Sequence, residues 1–162
     1  MTTLEVEIAL MNHFDIRRNL IVPNITDWSA LNIRFETDLL VLSKSNYATG
    51  IEIKVSKSDL KNDLKKKQWQ LDNHFNRTHY FKPFKYFYYA VPDYLKDEAL
   101  KQIPEWCGLI TVYNGDYETE ITRNPQLLNK NKWTEQQRYQ LARLGAMRIL
   151  SLKTKIQNHS FA

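Results

Sequence analysis

The stretch IRFETDLLVLSKSNYATGIEIKVS, residues 33–56, decides how the rest of the chain is read. Its flanks, residues 31–42 and 50–55, are rich in β-branched and apolar side chains, and the Ser-Lys-Ser-Asn-Tyr-Ala-Thr-Gly segment between them supplies turn residues. That pattern predicts a β-hairpin. On its second strand Ile51, Ile53 and Val55 share one face, so Glu52 and Lys54 share the other. A carboxylate and an ammonium on a strand that reads as buried are costly to desolvate unless paired or used. A solvent-facing ion pair, worth about 0 to 1 kcal/mol, does not call for the third charge, Asp38, on the adjoining strand.

Outward from the hairpin, strands and helices alternate. Residues 58–76 read as a helix capped by Ser56 or Ser58, with Leu60, Leu64, Leu71 and Phe75 as its buried stripe and Gln68 on that stripe. Upstream, residues 3–14 read as a helix with Thr3 as N-cap and an apolar arc of Leu4, Val6, Ile8, Leu10, Met11 and Phe14 that encloses Glu7. VPNITDWSALN, residues 22–32, has the Pro, Asn and Asp of a loop. FKYFYYAVP at 84–92 is a strand ended by proline, DYLKDEALKQIP a short helix, CGLITVYNG a strand and DYETEITR an edge strand. Residues 134–156 read as a long helix with Leu141, Leu144, Ile149, Leu152 and Ile156 inward and its basic charge outward. This order predicts an α/β fold, a mixed β-sheet flanked by helices.

At 162 residues the chain suits a single domain with a sizeable core. With 43% hydrophobic and 25% charged residues it resembles an ordinary globular protein, which argues against disorder and fibrous folds. No apolar run approaches the roughly 20 residues of a membrane span, and the acidic, amphipathic start is unlike a secretory signal, so a cytoplasmic protein is expected. The lone Cys107 excludes an internal disulfide and reads as a small buried hydrophobe. The net charge of +5 is local: residues 122–162 hold Arg123, Lys130, Lys132, Arg138, Arg143, Arg148, Lys153 and Lys155 against Glu135 alone. Such a basic segment suits a polyanion such as DNA, or is simply a solvated helix face.

Asp38 and Glu52 on adjacent strands, with the backbone carbonyl of Ile53, are the hard oxygen donors that Mg²⁺ takes, with Mn²⁺ as a natural substitute. Lys54 beside them can orient a water and balance charge on a phosphoryl transition state, and Glu7 extends the acidic site. Lys65, Lys66, Lys67 and Gln68 follow at once as candidate nucleic-acid contacts. Asp59 and Asp63, one helical turn apart, read as complements of the helix N-terminus. The aromatic cluster from Tyr80 to Tyr89 reads mainly as a half-buried strand and its neighbours, and the four histidines lack metal-ligand spacing.

Asp38, thirteen intervening residues, then Glu52-Ile53-Lys54, with Glu7 on the first helix, resemble the PD-(D/E)XK nuclease superfamily; Thr37 stands where that name has proline. EIKVSKSDLKNDLK, then YFYYAVP and IPEWCGLITV, look like the corresponding runs of MmcB-like DNA-repair proteins over residues 34–113, with Asp59, Asp63 and Lys65 at matching positions. The resemblance implies a restriction-endonuclease-like core and a metal-dependent deoxyribonuclease acting in DNA repair or in phage or mobile-element DNA metabolism. DNA is then the expected partner, and a homodimer is compatible with it. The competing expectations are a nucleic-acid-binding module that has lost turnover and an interaction subunit of a larger assembly.

Overall fold

The hairpin forms. In the computed structural model, which describes residues 1–27, 29–66 and 74–160, strands β2 (Ile33–Leu42) and β3 (Ala48–Ile53) pair antiparallel, with Leu42 opposite Ala48 and Leu39 opposite Ile51. Asn46 makes the turn at a φ of 62°, which asparagine tolerates, and the Ser43 N–H donates to the Tyr47 carbonyl at 3.0 Å. Gly50 is required by a close approach: a Cβ there would stand 2.4 Å from the Phe87 ring.

Residues 22–32, expected as a loop, instead carry most of a further strand, β1 (Leu20–Asp27), paired antiparallel to β2. Pro23 and Asn24 produced the loop signal. Both are tolerated because β1 is the edge of the sheet, where a missing N–H is no loss and Asn24 can take a φ of 50°. Beyond β3 come α2 (Lys57–Asp63), α3 (His74–Tyr80), β4 (Phe84–Pro92), a 3-10 turn at Asp93–Leu95, α4 (Lys96–Gln102), β5 (Gly108–Val112), β6 (Thr119–Arg123) and α5 (Glu135–Ser160). The six strands lie in sequence order, with β3, β4 and β5 parallel and the outer pairings antiparallel. The fold is therefore α/β, a mixed sheet flanked by helices, as expected.

Each face of the sheet has its own core. Val6, Ala9 and Leu10 of α1 (Thr3–His13) cover Leu39, Val41, Ile51 and Ile53 on one face. On the other, Leu60 of α2, Ala99 of α4 and Leu141 of α5 enclose Leu40, Phe87 and Leu109, with Phe81 edge-on to Phe87 and Trp106. Cys107 is buried there, and most of the tyrosines and phenylalanines of residues 80–89 serve this packing.

Three helix expectations change. The cap of α1 is Thr2, in a reciprocal capping box with Glu5, and its docked face is turned roughly 90° from the arc read at 100° per residue. Leu4 and Ile8 thus face water and Glu7 is half-buried at the flank. The single helix at 58–76 stops at Asp63, where the Lys65 and Lys66 N–H groups bond to the Asn62 and Asp63 carbonyls and tighten the chain into a turn. Finally, α5 keeps Leu141 inward, whereas Ile149, Leu152 and Ile156 are exposed. The helix, about 39 Å long, packs on the edge strand β1 and leaves an open groove there, which Ile149 and Leu152 line with Met11, Ile16 and Leu20. Among the described residues no helix is long and apolar enough to cross a membrane.

Candidate active site

The site begins where the hairpin comes apart. Pairing between β2 and β3 ends at Leu39 and Ile51, while β2 continues along β1 through Thr37, which is buried opposite Ile25, to Ile33. In the opening, Asp38 Oδ2 accepts the Ile53 N–H at 2.8 Å, so a side chain takes the place of the missing ladder bond. The N–H and carbonyl of one strand residue point to the same side, so the Ile53 carbonyl also faces the gap. Lys54 alternates, its N–H donating to the Ala90 carbonyl of β4 at 3.0 Å.

Glu52 and Lys54 project from the opposite face to Ile51 and Ile53, as the strand period requires, and both are buried. Lys54 Nζ donates to Glu52 Oε1 at 2.8 Å and lies 3.7 Å from Asp38 Oδ2 and 3.6 Å from Asp63 Oδ1. One ammonium thus stands among three carboxylates. Burial by itself would lower the Lys54 pKa, but the surrounding carboxylates, Glu52 first, outweigh it and hold the ammonium above its usual range. The Glu52 carboxyl is pushed up by burial and then by the Asp38 charge, against the pull of Lys54. These two shifts compete, since a protonated Glu52 would take away the nearest anion of Lys54; the 2.8 Å contact favours the ion pair. What remains is the cost of more negative than positive charge in a buried place. Glu52 Oε2 is buried without a hydrogen-bond partner among the described residues.

Asp38 is raised chiefly by burial, with the Ile53 N–H and Lys54 opposing. Glu7 is raised by burial and then by the charge of Asp38. Asp38, Glu52 and Lys54 therefore come together, from β2 and the end of β3, and Glu7 on α1 is linked to them through the charge of Asp38. No set of three or more His, Cys, Asp or Glu among the described residues is arranged to hold a metal ion. Two carboxylates and a carbonyl remain, and Mg²⁺ is commonly held by one or two carboxylates, with water and substrate phosphate completing its shell. The orphaned Glu52 oxygen beside Asp38 fits such an ion.

Asp63 is the residue that sequence reasoning misplaced. It is buried at the end of α2, where Oδ2 accepts the Tyr89 hydroxyl at 2.8 Å and Oδ1 is paired with Lys66 and approached by Lys54. A carboxylate at a helix C-terminus is disfavoured by the dipole, and a helix read through to residue 76 concealed that signal. Asp59, in the first turn, matches its expectation: Ser56, the cap, accepts its N–H at 3.1 Å. Of the basic run, Lys66 also reaches within 3.8 Å of Glu52 Oε1 and is half exposed, while Lys65 is exposed with its ammonium 3.5 Å from Asn62 Oδ1. Lys67, Gln68 and Leu71 lie outside the described residues. Tyr89, opposite Glu52 in the β3–β4 ladder, is the other member that the sequence did not single out as part of the site.

No family model matches the chain, and no curated protein matches it. Among solved structures it is similar to SPO1766, a protein of unknown function from Silicibacter pomeroyi, at a TM-score of 0.62 and 17% identity over 99% of this chain and 94% of that one. That likeness extends over essentially the whole molecule and is a likeness of fold.

Proposed function

We propose that this protein is a Mg²⁺-dependent deoxyribonuclease of the PD-(D/E)XK type on a restriction-endonuclease-like core. The observation that carries the reading is the orphaned Glu52 oxygen next to Asp38, in a gap between strands, with Lys54 between the carboxylates. A buried polar atom without a partner is rare, and a hard cation with its waters supplies one. Asp38, Glu52 and the Ile53 carbonyl would hold the ion, which when bound lowers the pKa of water and offsets charge on the phosphoryl oxygens. Lys54, held charged by its neighbours, orients the attacking water and balances negative charge on the transition state. Glu7 borders the site and raises its negative potential. Lys66, at the exposed side, is placed for the phosphate backbone, with Lys65, Lys67 and Gln68 as further contacts.

The resemblance to MmcB-like proteins supports a cytoplasmic role in DNA repair or in phage or mobile-element DNA metabolism. The test is hydrolysis of linear, nicked, branched and single-stranded DNA in Mg²⁺ or Mn²⁺ by the wild type and by Lys54→Ala. Cleavage by the wild type alone is the expected result, and equal rates would sink the proposal.

A further inference from the structure

Among the described residues two lysines serve the acidic cluster, and they are held differently. Lys54 is buried, just past the end of β3, at 2.8 Å from Glu52. Lys66 sits on the turn after α2 with its side chain 52% exposed, in contact with Asp63 and 3.8 Å from Glu52. Asp63 is 2% exposed, and the hydroxyl of fully buried Tyr89 fixes its other oxygen. In the Asp63–Lys66 pair, therefore, the anion is clamped and the cation is free to leave. Lys54 Nζ stays 3.6 Å from the same Asp63 oxygen, so the carboxylate keeps a cation beside it when Lys66 turns to a second anion. Any phosphate taken up by Lys66 would lie next to Glu52 and Asp38, because Glu52 Oε1 is within reach of both lysines.

We propose that Asp63 is an internal competitor for the substrate: clamped by Tyr89, it holds Lys66 in the absence of DNA and yields it to a backbone phosphate on binding. This rests on the DNA reading above and adds to it a specific exchange. Lys66 is then the substrate contact and Asp63 a positioning residue that acts through Lys66. A polyanion approaching Glu7, Asp38, Glu52 and Asp63 meets repulsion that Lys54 and Lys66 help to offset, so the loss of Lys66 should be felt at every DNA sequence alike.

The test is the affinity of the full chain for a fluorescent DNA oligonucleotide, measured by anisotropy in EDTA across a salt series. Lys66→Met should weaken binding and lower the salt slope by about 1, and Lys66→Arg should restore most of the affinity. Asp63→Asn, which keeps an oxygen for the Tyr89 hydroxyl, should tighten binding by about fivefold, and that gain should vanish in the Asp63→Asn, Lys66→Met double variant. If Asp63→Asn tightens binding equally with and without Lys66, Asp63 merely contributes charge and the exchange is wrong. Unchanged affinity and slope in Lys66→Met would overturn it alone, even if Asp63→Asn fails to fold. Absence of DNA binding by the wild type at low salt would overturn both the exchange and the nuclease reading.

Discussion

The end of β3 and the distal half of α5 depart from ordinary partitioning in opposite directions. At the first, Glu52, Lys54 and Asp63 are buried; at the second, Ile149, Leu150, Leu152 and Ile156 stand in water among Arg148, Lys153 and Lys155. The difference teaches where the molecule depends on its neighbours. Buried charges hold one another, so each depends on the rest. The exposed apolar residues are tied less closely to the fold: α5 is anchored by its first half through Leu141, and Ile149 and Leu152 only line an open groove with Met11, Ile16 and Leu20.

That contrast can be broken by substitution. Lys54→Met leaves Glu52, Asp38 and Asp63 without their shared ammonium and should cost about 3 to 5 kcal/mol in urea unfolding. A cost near zero would mean that the carboxylates are already neutral in the wild type. Leu141→Ala, which empties the anchored part of α5, should cost about 2 to 5 kcal/mol by the same measurement. Ile156→Ala, fifteen residues on, should cost less than about 0.5 kcal/mol. A large loss at Ile156 would show that the distal helix is packed against something in solution.

The pH dependence sharpens the comparison on its charged side. A carboxyl whose folded pKa is raised contributes stability that is fully present below its ordinary value, 4.5 for Glu52, and is lost as pH rises through the folded value. Glu52→Gln removes that dependence. The melting temperature of the wild type should therefore fall relative to Glu52→Gln between pH 5 and pH 9, whatever their difference at the lower pH. A constant gap would mean that Lys54 cancels the effect of burial and of Asp38.

The sequence showed the hairpin and the Asp38, Glu52, Lys54 grouping through alternation along its strands, and the strands at FKYFYYAVP and CGLITVYNG through their aromatic and β-branched content. It hid β1, since Pro23 and Asn24 are turn residues everywhere except at a sheet edge. It misread α1 by a quarter turn because a wheel gives a face and not the docking angle. Asp63 and Tyr89 stayed hidden for a different reason: their hydrogen bond joins positions 26 residues apart, and neither carries a spacing that announces it. Likewise the apolar stripe of α5 was real in sequence, and only the folded structure shows that Ile149, Leu152 and Ile156 stay largely exposed.

The claim on which the rest depends is that Asp38 and Glu52 form a cation site, and Mn²⁺ titration followed by electron paramagnetic resonance tests it directly. The expected result is one saturable site per chain, lost in Asp38→Asn and in Glu52→Gln and kept in the surface variant Glu120→Gln. No saturable binding, or binding indifferent to Asp38 and Glu52, would contradict it.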